Sequence, residues 1–319
     1  MNDKKREDKP STPLFDPEKK ILDYTLPIDH SRLLQYLEHF KERYPFLGIQ
    51  SLGNSLLGRS IPVISLGEGK KTMVYLGSAR GVDWLSCILL LRFINEYAEA
   101  YRTGRHIYNT YLPYLFHSRR ILIVPMPNPD GVDYCLNGVK NDNPLYMRLL
   151  SQCTSPADFS LWEGNARGVD LTHNYNARFF EYRATQKQAP RNGCLCAETP
   201  ESEPEVAYLC NYLRFYREEI GAVIQLLPTG DLISCYEGTD SAPRSASLGR
   251  ILSRLSGSTL SAVQGQQSDA TLLPWCGQHL KTPAYTLACG RGKSAASLKY
   301  YFCLYASIRQ LLFEAPQLI

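Results

Sequence analysis

The chain has 319 residues, of which 44% are hydrophobic and 21% are charged, and its formal net charge is +4. These values are typical of a globular protein that is long enough to bury a full core. Lys and Arg are spread along the chain instead of being clustered, which argues against binding to nucleic acids or to anionic membranes. No apolar run approaches the roughly 18 residues of a transmembrane helix.

The N-terminal segment, MNDKKREDKPSTPLFDPEKK, is charged, contains proline and lacks the hydrophobic region of a signal peptide. We therefore predict a flexible arm over residues 1–20, a single domain over residues 21–319 and a cytoplasmic location. The ten cysteines are then most simply reduced thiols. Cys194 and Cys196 form the one close pair, and its spacing does not match a zinc motif.

Strand and helix patterns alternate along the chain, which predicts an α/β domain. Strands are predicted near 47–53, 60–66, 72–77, 121–125, 221–227 and 284–289, and helices near 30–44, 85–101, 243–255 and 295–313. A further helix is predicted to begin near Ser202, which has capping-box spacing to Glu205. The stretch 126–200 is rich in Pro, Gly and Asn without clear periodicity, and such a stretch usually serves function.

Several segments, in chain order, carry a resemblance to a known family: GNSLLGRSIPVISLG, LGSARGVDWLS, ILIVPMPNPDGVDY, NARGVDLTHNYNA, ESEPEV and AYTLACGRG. From about residue 24 to the C terminus the chain resembles the zinc carboxypeptidases of the carboxypeptidase A type, nearest the bacterial branch that trims murein-type peptides. NPDGVDY and RGVDL, in this order and spacing, are the most specific signals. The resemblance implies one α/β domain, with a mixed, eight-stranded, twisted sheet and helices on both faces.

The resemblance also implies a zinc site, and all four of its positions are substituted here. In the family, a His-x-x-Glu pair and a later histidine bind zinc, and a glutamate acts as general base on the zinc-bound water. The pair falls on Arg80 and Asp83, the later histidine on Leu227 and the general base on Ala288. Because arginine stays protonated and leucine has no donor atom, we expect no zinc and no other cofactor.

The positions that recognise substrate in the family are changed less evenly. The Asn-Arg pair that holds a substrate carboxylate falls on Thr172 and His173, and a basic residue that stabilises the oxyanion falls on Glu163. The tyrosine that closes over the substrate falls near Asp269. Residues that keep the family pattern are Asn165, Arg167, Gly168, Asp170 and Asn174. We expect structural roles for Asp170 and Asn174, whereas the role of Arg167 stays open.

Other residues do not offer a replacement site. His39 and Glu42 form a His-x-x-Glu sequence, but they lie away from the apolar stripe of their helix, so we expect a solvated face. The sequence HSRR at 117–120 precedes a strand instead of following one. Cys289 neighbours Ala288, but side chains alternate along a strand, so Cys289 is predicted to face the opposite layer as a core thiol.

The sequence thus predicts a carboxypeptidase-fold protein that lacks catalytic activity and binds a small peptide or another carboxylate ligand. The candidate binding residues are Arg80, Asp83, Asn165, Arg167 and His173. Two alternatives stay open: an active hydrolase of murein-type peptides that uses an unrecognised metal site, and a structural or partner protein whose cleft is filled. Since Arg80 and Asp83 are three residues apart at a strand-to-helix turn, we also predict an ion pair between them.

Overall fold

The centre of the computed structural model is a mixed sheet, and the structure describes residue 23 and residues 25–155, 157–186, 191–236, 242–263, 269–290 and 297–319. The strands are β1 (Gly48–Asn54), β2 (Ser60–Leu66), β3 (Lys71–Leu76), β4 (His106–Ile107), β5 (Thr110–Tyr111), β6 (Arg119–Val124), β7 (Ile220–Leu227), β8 (Leu232–Tyr236), β9 (Thr259–Val263) and β10 (Ala284–Ala288). Eight of them form the sheet in the order β1-β2-β6-β3-β7-β10-β8-β9, while β4 pairs with β5. The predicted mixed, eight-stranded sheet is confirmed, whereas the predicted arm over residues 1–20 lies outside the described residues.

Helices cover both faces of this sheet, as predicted. They are α1 (His30–Arg43), α2 (Trp84–Arg102), α3 (Leu112–Ser118), α4 (Pro129–Asn137), α5 (Tyr146–Leu150), α6 (Phe179–Thr185), α7 (Pro204–Phe215), α8 (Ala242–Ser256), α9 (Leu272–Trp275) and α10 (Tyr301–Glu314). Among the described residues, no helix combines the length and the apolar character needed to cross a membrane. The stretch 126–200, which showed little periodicity, contains α4, α5 and α6.

The predicted capping box at the start of α7 is wrong. The N-cap residue is Glu203, and its side chain makes no capping hydrogen bond. The Ser202 hydroxyl instead bonds to Glu203 at 3.0 Å, and the Glu205 carboxylate accepts from the backbone N–H of Leu56 at 3.1 Å. The spacing of Ser202 and Glu205 fits a capping box, but the Glu205 side chain instead accepts a hydrogen bond from Leu56, 149 positions away in the sequence.

The hydrophobic core has two layers, one on each side of the sheet. The side chains of β3 alternate between them: Met73 and Tyr75 pack with α2 and α10, and Val74 and Leu76 pack with α7 and α9. A strand buried on both faces reads as a continuous apolar run, which explains the sequence ILIV in β6.

The central strands β6, β3, β7 and β10 are mutually parallel, so their carboxyl ends meet at one edge of the sheet. In open α/β sheets, ligands bind at this edge. The positions that the resemblance assigns to the zinc ligands and the general base lie here, after β3 and at the last residues of β7 and β10.

Candidate functional site

The turn after β3 brings Arg80 and Asp83 into direct contact. The turn packs closely on its neighbours, since a Cβ atom at Gly81 would collide with the backbone oxygens of Gly131 and Trp162. The guanidinium of Arg80 pairs with both carboxylate oxygens of Asp83, with Nε 2.7 Å from Oδ2 and Nη2 2.9 Å from Oδ1. The ion pair predicted from the sequence is therefore present, in bidentate form.

Arg80 has a second carboxylate partner, Glu163, whose Oε2 lies 2.9 Å from Nη1. The side chain of Asp83 is fully buried, whereas those of Arg80 and Glu163 are partly exposed. Burial raises the pKa of Asp83 and of Glu163, and the attraction of Arg80 offsets this only in part. Burial opposes the charge of Arg80 as well, but its two carboxylate partners outweigh burial and raise its pKa, so Arg80 remains a cation.

A second charged pair, Asp170 and His173, lies beside this cluster. Nδ1 of His173 is 2.7 Å from Oδ2 of Asp170, and its ring stacks on Tyr182 with centroids 4.6 Å apart. Burial alone would raise the pKa of Asp170, but the charge and hydrogen bond of His173, together with two bonds from Thr172, lower it to about 2. For His173, burial favours the neutral form, yet Asp170 prevails and raises the pKa. Asp170 therefore has the structural role expected of it, and ligand binding by His173 stays a prediction.

Asn165 and Arg167 are engaged with a common partner, Glu203. Asn165 is fully buried; its Nδ2 donates to Glu203 Oε2 at 2.6 Å, and its Oδ1 accepts from the backbone of Arg167 and of Val169. Arg167 makes a bidentate pair with Glu203, at 3.0 Å and 2.8 Å. The side chain of Asn174 accepts from the backbone N–H of Glu203 at 3.1 Å. Asn165, Arg167 and Asn174 therefore all bond to Glu203, the N-cap residue of α7, and stabilise the start of this helix. A direct ligand contact by Asn165 or Arg167 stays a prediction.

The other two substituted positions form an uncharged side of the same cleft. Leu227 of β7 and Ala288 of β10 are direct partners in the sheet register. Beside them lies a pocket of ≈ 230 Å³, whose lining includes Arg80, Thr172, Gln225, Leu227, Ser234 and Thr286. The first residues of α9 close this pocket with apolar side chains. The cleft therefore contains a pocket next to the position that the resemblance assigns to a zinc ligand.

Two further predictions concern residues at the margin of the cleft. Cys289 is 3% exposed and packs in the layer opposite to Ala288, so the predicted core thiol is confirmed. Burial raises the pKa of its thiol to about 12, which leaves it inert as a nucleophile at neutral pH. Asp269, near which the resemblance puts the family's tyrosine, is buried, and its Oδ1 lies 3.3 Å from Nε of Arg178.

The residues at the zinc positions do not fit a zinc ion. A catalytic zinc site needs three donor groups and an open position for water. Here the only donor is Asp83, and both of its oxygens accept hydrogen bonds from Arg80. Leu227 has no lone pair to give. Within the described ranges, no other group of three or more His, Cys, Asp or Glu side chains is placed to hold a metal ion.

Comparison with known proteins agrees with the fold and with the order of the motifs. The sequence model of the zinc carboxypeptidase family matches residues 33–285. The chain belongs to the zinc carboxypeptidase family. It is 27% identical over 279 residues to gamma-D-glutamyl-L-diamino acid endopeptidase 1 of Lysinibacillus sphaericus, covering 87% of this chain and 69% of that protein. It is also 24% identical over 290 residues to the uncharacterized protein YqgT of Bacillus subtilis (strain 168), covering 90% and 76% of the two chains.

Solved structures of the family share its fold. Carboxypeptidase A from Helicoverpa armigera superposes with a TM-score of 0.70 at 13% identity, covering 94% of this chain and 75% of that chain. Bovine thrombin-activatable fibrinolysis inhibitor, solved in complex with tick carboxypeptidase inhibitor, superposes with a TM-score of 0.68 at 15% identity, covering 93% and 99%. At these identities the likeness concerns the fold alone.

Sequence reasoning missed two features of the cleft. The first is Glu203, which contacts Asn165, Arg167 and Asn174. A glutamate that directly precedes the first proline of a helix is not a sequence pattern that predicts three distant partners. The second is Gln225, which lines the pocket although it lies in a buried strand. A signal for Gln225 was available, because it is the one strongly polar side chain in the apolar run GAVIQLL.

Proposed function

We propose that this member of the zinc carboxypeptidase family binds a small peptide-type ligand in its cleft without zinc and without hydrolysing it. The observation that carries the proposal is the bidentate contact between Arg80 and Asp83. The guanidinium occupies both carboxylate oxygens that a metal would need. Zinc-dependent hydrolysis requires a metal-bound water and a base that takes its proton, and Leu227 and Ala288 contribute neither.

The pocket beside these positions supports ligand binding. It combines apolar walls with a few polar side chains, which is the usual composition of small-molecule sites. The relative from L. sphaericus is named for a bond between γ-D-glutamate and an L-diamino acid. Peptides that contain this bond are therefore the first candidates for the ligand.

The experiment combines metal analysis, an activity assay and ligand binding on the full chain. We expect far less than one zinc per chain after dialysis against a buffer containing zinc. We also expect no cleavage of a γ-D-glutamyl-L-diamino acid peptide, with the L. sphaericus enzyme assayed in parallel as a positive control. The same peptide should bind in calorimetry and should raise the melting temperature.

Each alternative predicts a different result. Stoichiometric zinc that survives dialysis and is lost in Asp83→Ala, but not in the matched surface variant Asp158→Ala, would contradict the proposal in favour of a metallohydrolase. Cleavage that is insensitive to chelators would indicate a different nucleophile. A cleft that binds none of the peptides would favour a structural or partner protein.

A further inference from the structure

A row of polar side chains crosses the floor of the pocket. Gln225 of β7 pairs with Thr286 of β10, and Thr286 pairs with Ser234 of β8. Directly paired residues of neighbouring strands point to the same face, about 4.8 Å apart. The three side chains, which we call the polar row, therefore form a line of hydrogen-bonding groups across the pocket that they all line.

The polar row has no protein partner in the part of the chain that the structure describes. Gln225 is only 7% exposed, and no described residue hydrogen-bonds its side-chain amide. The side-chain amide of Gln225 is not fully buried, so it stays accessible from the cavities that it lines. These cavities are the pocket and a smaller one beside Glu205, and a ligand in the pocket can therefore pair with this amide.

Charge in the cleft does not favour an anion. Arg80 lines the pocket, but three of its N–H groups already donate to Asp83 and Glu163. Together with Asp170 and His173, the cluster holds three carboxyl groups against two groups that can be cations. Even with one carboxyl protonated, no positive charge is left in excess. A carboxylate ligand would have to compete with the protein's own carboxylates for Arg80, and like charges close together are repelled.

We propose that the pocket selects an uncharged amide over a free carboxylate, with Gln225 as the residue that determines this specificity. The inference rests on the proposed function and deepens it. A side-chain amide both donates and accepts, as does an amide of the ligand, so the two match in both directions. Thr286 and Ser234 also donate and accept through their hydroxyl groups. A carboxylate only accepts, and it would meet Glu163 nearby.

The test compares two forms of one peptide that differ only at the C terminus. N-acetyl-L-alanyl-L-leucine is used as the free acid and as the carboxamide, with calorimetry on the full chain at pH 7. We expect the carboxamide to bind about tenfold tighter or more, the scale set by a lost hydrogen bond in a polar site. Gln225→Leu keeps the volume but removes the amide, and we expect this variant to lose the preference.

Two charge variants test the electrostatic half of the inference. Glu163→Gln keeps a hydrogen-bond acceptor for Arg80 but removes a negative charge, so the free acid should bind several-fold tighter than to the wild type. Glu218→Gln makes the same change at an 85% exposed position outside the cleft, and neither affinity should move. An increase in acid binding with both variants would contradict the local charge argument.

The outcomes separate the inference from the proposed function. Equal or tighter binding of the free acid overturns the inference and leaves ligand binding without hydrolysis intact. A preference that survives Gln225→Leu removes Gln225 as the specificity residue. If neither form binds the wild-type chain, the inference is wrong, whereas the proposed ligand-binding function is decided by the γ-D-glutamyl-L-diamino acid peptide.

Discussion

The two sides of the cleft differ in how their polar groups are satisfied. On one side, Arg80, Asp83, Glu163, Asp170 and His173 form ion pairs with one another. On the other side, the polar row formed by Gln225, Thr286 and Ser234 finds no partner among the described residues. The charged side thus uses its hydrogen bonds to hold the fold, and the neutral side has hydrogen bonds to offer a ligand. Under the proposed function, the positions that hold zinc in the family serve in this chain to stabilise the fold.

Glu205 shows what happens to a carboxyl group near this cleft that forms no ion pair with a described residue. It is 1% exposed, and its Oε2 has no hydrogen-bond partner in the described structure, while Asp130 and Glu203 add negative charge. Burial, with these neighbours, raises its pKa to about 7. Asp170, whose side chain is 12% exposed, pairs with His173 and accepts two hydrogen bonds from Thr172, and its pKa falls to about 2. The partners of each carboxyl group, together with its burial, decide its charge state here.

The largest expected effect is on the charged side. Arg80→Ala leaves Asp83 buried without its cation, and removing one member of a buried pair costs about 3–5 kcal/mol of unfolding free energy. Denaturant unfolding at pH 7 measures this cost. A double-mutant cycle with Asp83→Ala should give a coupling energy clearly different from zero.

The matched control for Arg80→Ala is Arg217→Ala, which removes an exposed pair with Glu218. Exposed pairs contribute about 0–1 kcal/mol, so this variant should unfold almost as the wild type does. If the two variants cost the same, or if the cycle gives no coupling between Arg80 and Asp83, the turn is not held by its ion pair and the contrast between the two sides is lost.

The next effect concerns pH and Glu205. Its pKa is raised on folding from a normal value of 4.5 to about 7, so the folded state binds the additional proton. The stability that the folded state gains from this proton is complete below the unfolded-state pKa, and it is lost as the pH rises through the folded-state pKa. Glu205→Gln mimics the protonated form. The stability of this variant relative to wild type should therefore increase by about 2–3 kcal/mol between pH 4 and pH 8.

Glu218→Gln serves as the control for this pH series, because its carboxylate is exposed. Its stability difference from the wild type should stay flat from pH 4 to pH 8. A flat difference for Glu205→Gln as well would mean that this carboxyl has a cation or a water network that neutralises its burial, and the comparison with Asp170 would fail.

Sequence reasoning reached the fold and the charged turn but not the neutral side of the cleft. The motifs NPDGVDY and RGVDL, together with the apolar strands, identified the fold. The ion pair of Arg80 and Asp83 is local, three residues apart, so spacing alone indicated it. Glu163 joins them from 83 positions away, and no pattern in the sequence reports such a contact.

Register between distant strands is the reason that the polar row was missed. Gln225 and Thr286 become neighbours only through the parallel pairing of β7 with β10, and Ser234 joins through β8, a strand that the sequence did not indicate. The helix α4 was missed for a different reason. It begins with Pro129, Asp130 and Gly131, which read as a turn, although proline is favourable at the first position of a helix.

The smallest expected effect is the difference between two identical substitutions on the two sides of the cleft. The hydroxyl of Thr172 donates to the Asp170 carboxylate at 2.6 Å, and hydrogen bonds to charged groups contribute about 1.5–3 kcal/mol. Thr172→Val should therefore destabilise the chain measurably in denaturant unfolding. The hydroxyl of Thr286 has no described partner, so Thr286→Val, which keeps the shape, should stay within about 0.5 kcal/mol of the wild type. Equal costs for the two variants would show that the polar row is already satisfied in the free protein. Its side chains would then not be available to a ligand.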